Sequence, residues 1–188
     1  MTHKARERFR GIDFSKVPLH DEYNDCTFET CKFASVDLSD VKFVNCDFVA
    51  CDLSNVKSYN TAWQDVRFRN CKMMGIQFDE SNALLMELSF DQCQLDYSSF
   101  YKRKLKKTFF LNSTLRDADL AEADLSEARF DHSDLGGALF SGTNLNNADL
   151  SSAYNYSIDP GDNIIKQAKF SMPAVIGLLD KFDIKINS

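Results

Sequence analysis

The 188-residue sequence predicts a single all-β domain, a chain wound into a square solenoid with twenty residues per coil. Three observations predict it: an apolar residue at every fifth position, phenylalanine recurring every twenty, and a matching column of cysteines. A period of five fits neither a helical turn of about 3.6 residues nor the alternation of a strand, so the backbone must turn once per repeat. If four such turns close a coil, residues twenty apart stack, and the pattern passes that test.

In chain order, residues 1–25 are expected to cap one end and start the first coil, with Ile12, Phe14, Val17 and Leu19 as their apolar residues. Residues 26–153 form the repeat region. One run of centres reads Phe28, Phe33, Leu38, Phe43, Phe48, Leu53, Ser58 as the single miss, Trp63, Phe68, Met73 and Phe78. A second run, two residues out of phase, goes from Leu85 through Phe90 and Leu95 to Leu150, and every member is Leu or Phe. The phase change places about two inserted residues near Ser81 and Asn82. With that allowance one column reads Phe28, Phe48, Phe68, Phe90, Phe110, Phe130 and Leu150, and another Cys31, Cys51, Cys71, Cys93, Ser113 and Ser133.

A second inward set stands two residues before each centre and is small or apolar, as at Cys26, Val36, Cys46, Ala118, Ala123 and Ala148. Seven Gly and three Pro are too few for a sandwich or barrel built on glycine turns, so other residues must make the corners. About 25 repeats give about six coils and a rod roughly 30 Å long.

Residues 154–188 form the other end. The period stops after Tyr154, and Asp159-Pro160-Gly161-Asp162 is a turn signal. Pro173 opens a short helical cap to about Asp183, with Val175, Ile176, Leu178, Leu179 and Phe182 on one broad face. Ile184 and Ile186, at period two, extend the apolar surface as a strand. Together these seven residues are the predicted homodimer interface.

The stretch Ala118-Asp119-Leu120-Ala121-Glu122-Ala123-Asp124-Leu125-Ser126-Glu127 resembles the A(D/N)LXX signature of the pentapeptide-repeat family. That resemblance implies a right-handed quadrilateral β-helix. The C-terminal Ile158-Asp159-Pro160, Lys169-Phe170-Ser171, Gly177-Leu178-Leu179 and Ile184-Lys185-Ile186 are similar to the ends of Qnr-like quinolone-resistance and microcin-immunity proteins. It implies a non-enzymatic, dimeric DNA mimic that binds DNA gyrase or topoisomerase IV and protects it from quinolones or peptide toxins. The long loops of some relatives are lacking here.

The chemistry of the chain is consistent with a ligand of protein. A net charge of −6 and a pI near 5.1 argue against direct nucleic-acid binding. No apolar run spans a membrane and no apolar segment follows the charged N-terminus, so a cytoplasmic location with reduced thiols is expected. The cysteines stack in a line rather than converging, so no metal site or cofactor is predicted. His132-Ser133-Asp134 has triad residue types without triad geometry, and no enzyme activity is expected.

Residues 113–153 hold two arginines against eight acids, which equals the whole net charge. Asp117, Asp119, Glu122, Asp124, Glu127, Asp131, Asp134 and Asp149 are the candidate partner-binding acidic surface. Asp119, Asp124, Asp134 and Asp149 equally suit a local role, hydrogen-bonding their own turns. Arg103 falls at an inward position within the basic run Lys102–Lys107, which predicts a local bulge that turns it to water. The alternative to topoisomerase binding is a scaffold for an unrelated regulatory protein, with that basic run as the contact for an acidic partner.

Overall fold

Most corners are made by one residue in the left-handed region, two places after the buried centre. Thr30, Ser35, Asp40, Asn45 and Ala50 follow Phe28, Phe33, Leu38, Phe43 and Phe48 with φ between 49 and 63°. The rule continues through Lys107, Asn112, Asp117, Glu122, Glu127 and His132. A residue with a Cβ pays about 1–2 kcal/mol for this conformation, less for Asn and Asp. The corner recovers it by closing a turn, as where the Val36 amide donates to the Phe33 carbonyl at 2.8 Å. This is how a glycine-poor chain turns so often.

Repetition of that corner winds the chain into a right-handed quadrilateral β-helix of about eight turns. The computed structural model describes residues 2–185. Successive coils pair in parallel, with Phe28 opposite Phe48, Phe48 opposite Phe68, Phe68 opposite Phe90 and Phe90 opposite Phe110. The column of rings is stacked, at centroid separations of 5.0 Å for Phe9–Phe28, 4.6 Å for Phe28–Phe48 and 5.0 Å for Phe110–Phe130. Tyr23, Phe43 and Trp63 stack in a second column.

The residues two before each centre do more than fill space. The thiols of Cys51, Cys71 and Cys93 donate to the carbonyls of Phe28, Phe48 and Phe68 in the coil beneath, at 3.3–3.4 Å. Ser133 and Thr143 hydroxyls do the same to Phe110 and Leu120, both at 2.9 Å. A small side chain with one donor therefore suits this site, which explains why cysteine gives way to serine in one column. Burial pushes the Cys46 thiol up to about 12, which keeps it protonated as a donor.

Four expectations are corrected. First, the rod is longer than about six coils, because winding starts at His3–Ala5, paired with Glu22–Asn24, and continues past residue 153. Tyr154 bridges to Asp134, Ile164 to Asn144, and Lys169–Phe170 pairs with Asp149–Leu150. The strict apolar period fades there, but backbone pairing needs no particular side chain. Second, the insertion lies at residues 83–87: Ala62 still pairs with Asn82 at an offset of twenty, whereas Val66 pairs with Leu88 at twenty-two. Leu85 is consequently not a centre but a corner with φ 57°, 71% exposed beside exposed Leu84.

Third, Arg103 does not sit on a bulge. Its amide closes the usual turn to the Phe100 carbonyl at 3.0 Å, and only the side chain leaves the column, to donate to the Ser81 carbonyl at 3.2 Å. Fourth, the C-terminal cap consists of two short 3-10 turns, Ala174–Leu178 and Asp180–Phe182, rather than one helix. Gly177 docks this cap: its carbonyl accepts the Ile158 amide at 3.0 Å, and a Cβ there would stand 2.0 Å from the Tyr156 carbonyl oxygen.

Candidate interaction surface

A side chain just before a centre points outward but stays against the coil, where its oxygen can reach the amide two residues on. Asp119 accepts from Ala121 at 2.9 Å, and Asp124, Asp134 and Asp149 accept from Ser126, Gly136 and Ser151, each at 3.1 Å. All four aspartates thus serve the local turn. Asp134 is a correction to the acidic surface: it is fully buried and meets Arg116 Nη2 at 2.6 Å. Burial pushes its carboxyl up, but bonds from Asn155 and Arg116 outweigh that and hold it below the usual range.

The outer positions are stacked as strictly as the inner ones. Glu122 stands one coil beyond Lys102, whose ammonium is 3.4 Å away, and accepts the Tyr101 hydroxyl at 2.9 Å. Glu127 lies 3.1 Å from Lys106 and 3.5 Å from Lys107, and the Lys106 contact holds its carboxyl below the ordinary value. Asp131 pairs with Arg129, and Asp149 with Lys169 at 3.3 Å. Among the described residues Asp117, Asp119 and Asp124 form no ion pair. The basic run and the acidic segment are therefore partners rather than separate fields. The signal was present in the spacing: Lys102 and Glu122, and Lys107 and Glu127, are twenty apart.

At the C-terminal end Ile176, Phe182 and Ile184 are about half exposed, and Leu179 is 37% exposed. Leu178 instead packs against the core, and Val175 is half-buried. Ile176, Leu179 and Ile184 line a hollow of about 300 Å³ with Asp180 and Asp183. Lys181 ties the cap to Asp159 and holds that carboxyl below its ordinary value. Ile186 lies outside the described residues. Among those residues no group of acids, histidines and cysteines converges on a metal position, and no helix is long and apolar enough to cross a membrane.

Comparison with known proteins places this architecture. A model of the pentapeptide repeat region matches residues 22–84, and a model of eight pentapeptide repeats matches residues 93–131 and 123–154. No curated protein matches the chain. Two solved structures of trypsin-treated variants of QnrB1, a plasmid-mediated fluoroquinolone resistance protein, share the fold. One has a TM-score of 0.66 at 17% identity, covering 98% of this chain and 100% of that one. The other has 0.64 at 18%, covering 98% and 99%.

Proposed function

The chain belongs to the pentapeptide-repeat family, and from that premise we propose that it is a non-enzymatic DNA mimic that binds a type II topoisomerase, DNA gyrase or topoisomerase IV. The observation that carries the reading is a stiff rod whose last coils present carboxylates in regular columns, next to an end with uncovered apolar residues. Asp117, Asp119 and Asp124 supply its unpaired charges, with Glu122, Glu127 and Asp131 exchanging their lysine or arginine partners for those of the enzyme. The exposed residues Ile176, Leu179, Phe182 and Ile184 join two subunits, so that two acidic segments flank a twofold axis. The family resemblance and the likeness in fold to QnrB1 support this, and a cytoplasmic site of action accords with it.

Gyrase supercoiling with and without a fluoroquinolone, titrated with this protein, tests the proposal. Rescue identifies a protector and inhibition alone a competitor of DNA; both should weaken with salt, which screens matched charges. No effect on either topoisomerase refutes it. Asp117→Asn, which keeps a corner-compatible residue and breaks no ion pair, should reduce the effect. Reversing Glu122 or Glu127 is a poorer test, because it also disrupts their lysine pairs.

A further inference from the structure

Phe78, Phe100 and Leu120 stand ten residues, half a coil, after Phe68, Phe90 and Phe110, so they carry the face of the rod opposite the phenylalanine column. Charge is divided unequally between the two faces. On the phenylalanine face Glu29, Asp47, Asp131 and Asp149 each pair with an arginine or lysine. On the opposite face Asp37, Glu122 and Asp159 pair with Lys57, Lys102 and Lys181. Asp40, Asp79, Glu80 and Asp119 form no ion pair there among the described residues, nor does Asp117 on its edge. The two arginines that border this face are engaged, Arg103 by the Tyr101 and Ser81 carbonyls and Arg116 by Asp134. The face therefore keeps a surplus of carboxylates after its own cations are counted.

Its tyrosines show what such a surplus can hold. The Lys102 ammonium lies 4.7 Å from the centre of the Tyr101 ring and 3.4 Å from Glu122 in the next coil, which also accepts the Tyr101 hydroxyl. A ring and a carboxylate one coil further on thus share one cation. The same pairing recurs twice with no cation over the ring among the described residues. Tyr59 stands twenty residues before Asp79 and Tyr97 twenty before Asp117, with the tyrosines 65% and 60% exposed. Bonds from the Asn60 amide to the Glu80 carbonyl and from the Tyr97 amide to the Arg116 carbonyl, 3.0 and 2.9 Å long, set each pair in neighbouring coils. One carboxylate oxygen of Asp79 is moreover buried without a donor, an acceptor the fold leaves unmet.

We propose that Tyr59 with Asp79 and Glu80, and Tyr97 with Asp117 and Asp119, dock arginine side chains of a basic segment in a partner protein. A guanidinium stacks on an exposed ring and gives a carboxylate two parallel hydrogen bonds, whereas an ammonium is a point charge without that fork. The surplus of negative charge on this face draws such a segment to it. The proposal does not rest on the topoisomerase reading, since Tyr59, Asp79 and Glu80 lie outside the acidic segment.

The test is fluorescence anisotropy with fluorescein-labelled Gly-Arg-Ser-Gly-Arg-Ser-Gly-Arg, beside the same peptide with Lys for each Arg. The arginine peptide should bind saturably, more weakly as salt rises, and at least about threefold more tightly than the lysine peptide. Tyr97→Asn, which suits a left-handed corner, and Glu80→Gln should each weaken it at least about threefold while the far-UV circular dichroism is unchanged. Asp91→Asn, on the phenylalanine face, should leave binding as it is. So should Asp124→Asn, one face round from the tyrosines, which alters a carboxylate of the topoisomerase reading and so lets the two readings fail separately. Equal binding of the two peptides, indifference to Tyr97→Asn or Glu80→Gln, an equal loss in Asp91→Asn or Asp124→Asn, or no saturation at millimolar peptide overturns the proposal.

Discussion

Gly177→Ala is expected to detach the C-terminal cap while leaving the solenoid wound. Gly177 is buried, and the added Cβ would lie 2.0 Å from the Tyr156 backbone oxygen, so the chain itself must shift by about 1 Å or more. The shift breaks the bond from the Ile158 amide to the Gly177 carbonyl, 3.0 Å long, and leaves a buried donor unmatched at a cost of about 1–3 kcal/mol. Loosening Leu178 and Ala174, both packed on the core, brings the local loss to about 2–4 kcal/mol. In a solenoid each coil touches only its neighbours, so the loss stays at this end. Hydrogen exchange reads it directly: the Ile158 amide should exchange about 30- to 1,000-fold faster, while the Phe90 and Phe110 amides are unaffected. Light scattering on the same variant reports whether the cap also joins subunits. Unchanged protection at Ile158 would refute the docking argument.

Phe110→Ala removes a fully buried ring stacked between Phe90 and Phe130, and should cost about 3–5 kcal/mol by urea unfolding. Cys51→Ser should cost no more than about 1.5 kcal/mol, because Ser133 already stands in the same column and makes the same bond to the coil beneath. Asp134→Ala should lower stability at neutral pH by about 1–3 kcal/mol, the pair being buried only on the aspartate side. A carboxyl held below its ordinary value of 3.8 stabilises above that value and ceases to as pH falls through the depressed one. The wild type should therefore lose stability below about pH 4 more steeply than the variant, as thermal melts across that range would show.

The coil was legible because its period is short and its core positions admit few residue types. Phe48, Phe68 and Phe90 could be assigned to one column from spacing alone, as could Cys51, Cys71 and Cys93. The insertion was harder to place, since Leu85 has the right residue type at the right phase and nothing local marks it as a corner. The end of the winding was hidden for a related reason: Tyr154 and Ile164 pair through backbone groups, which leave no trace in side-chain periodicity. Arg103 was read correctly as an exception, but which atoms resolve it depended on a carbonyl freed by the displaced segment at 83–87.

By itself, then, the sequence determined the repeat length, the square section, the residues that fill the core and the aspartates able to hold their own turns. These follow from contacts within five residues or between residues twenty apart, and regular spacing encodes both. Only the tertiary structure decided which acids are free. Stacking brings Lys102 to Glu122 and Lys106 to Glu127, buries Asp134 against Arg116, and leaves Asp117, Asp119 and Asp124 without ion pairs among the described residues. It also decided that the chain is displaced at 83–87, where Leu84 and Leu85 stand exposed instead of filling the core. Charge counted along a chain says how much there is; only the distance between coils says how much of it is already neutralised.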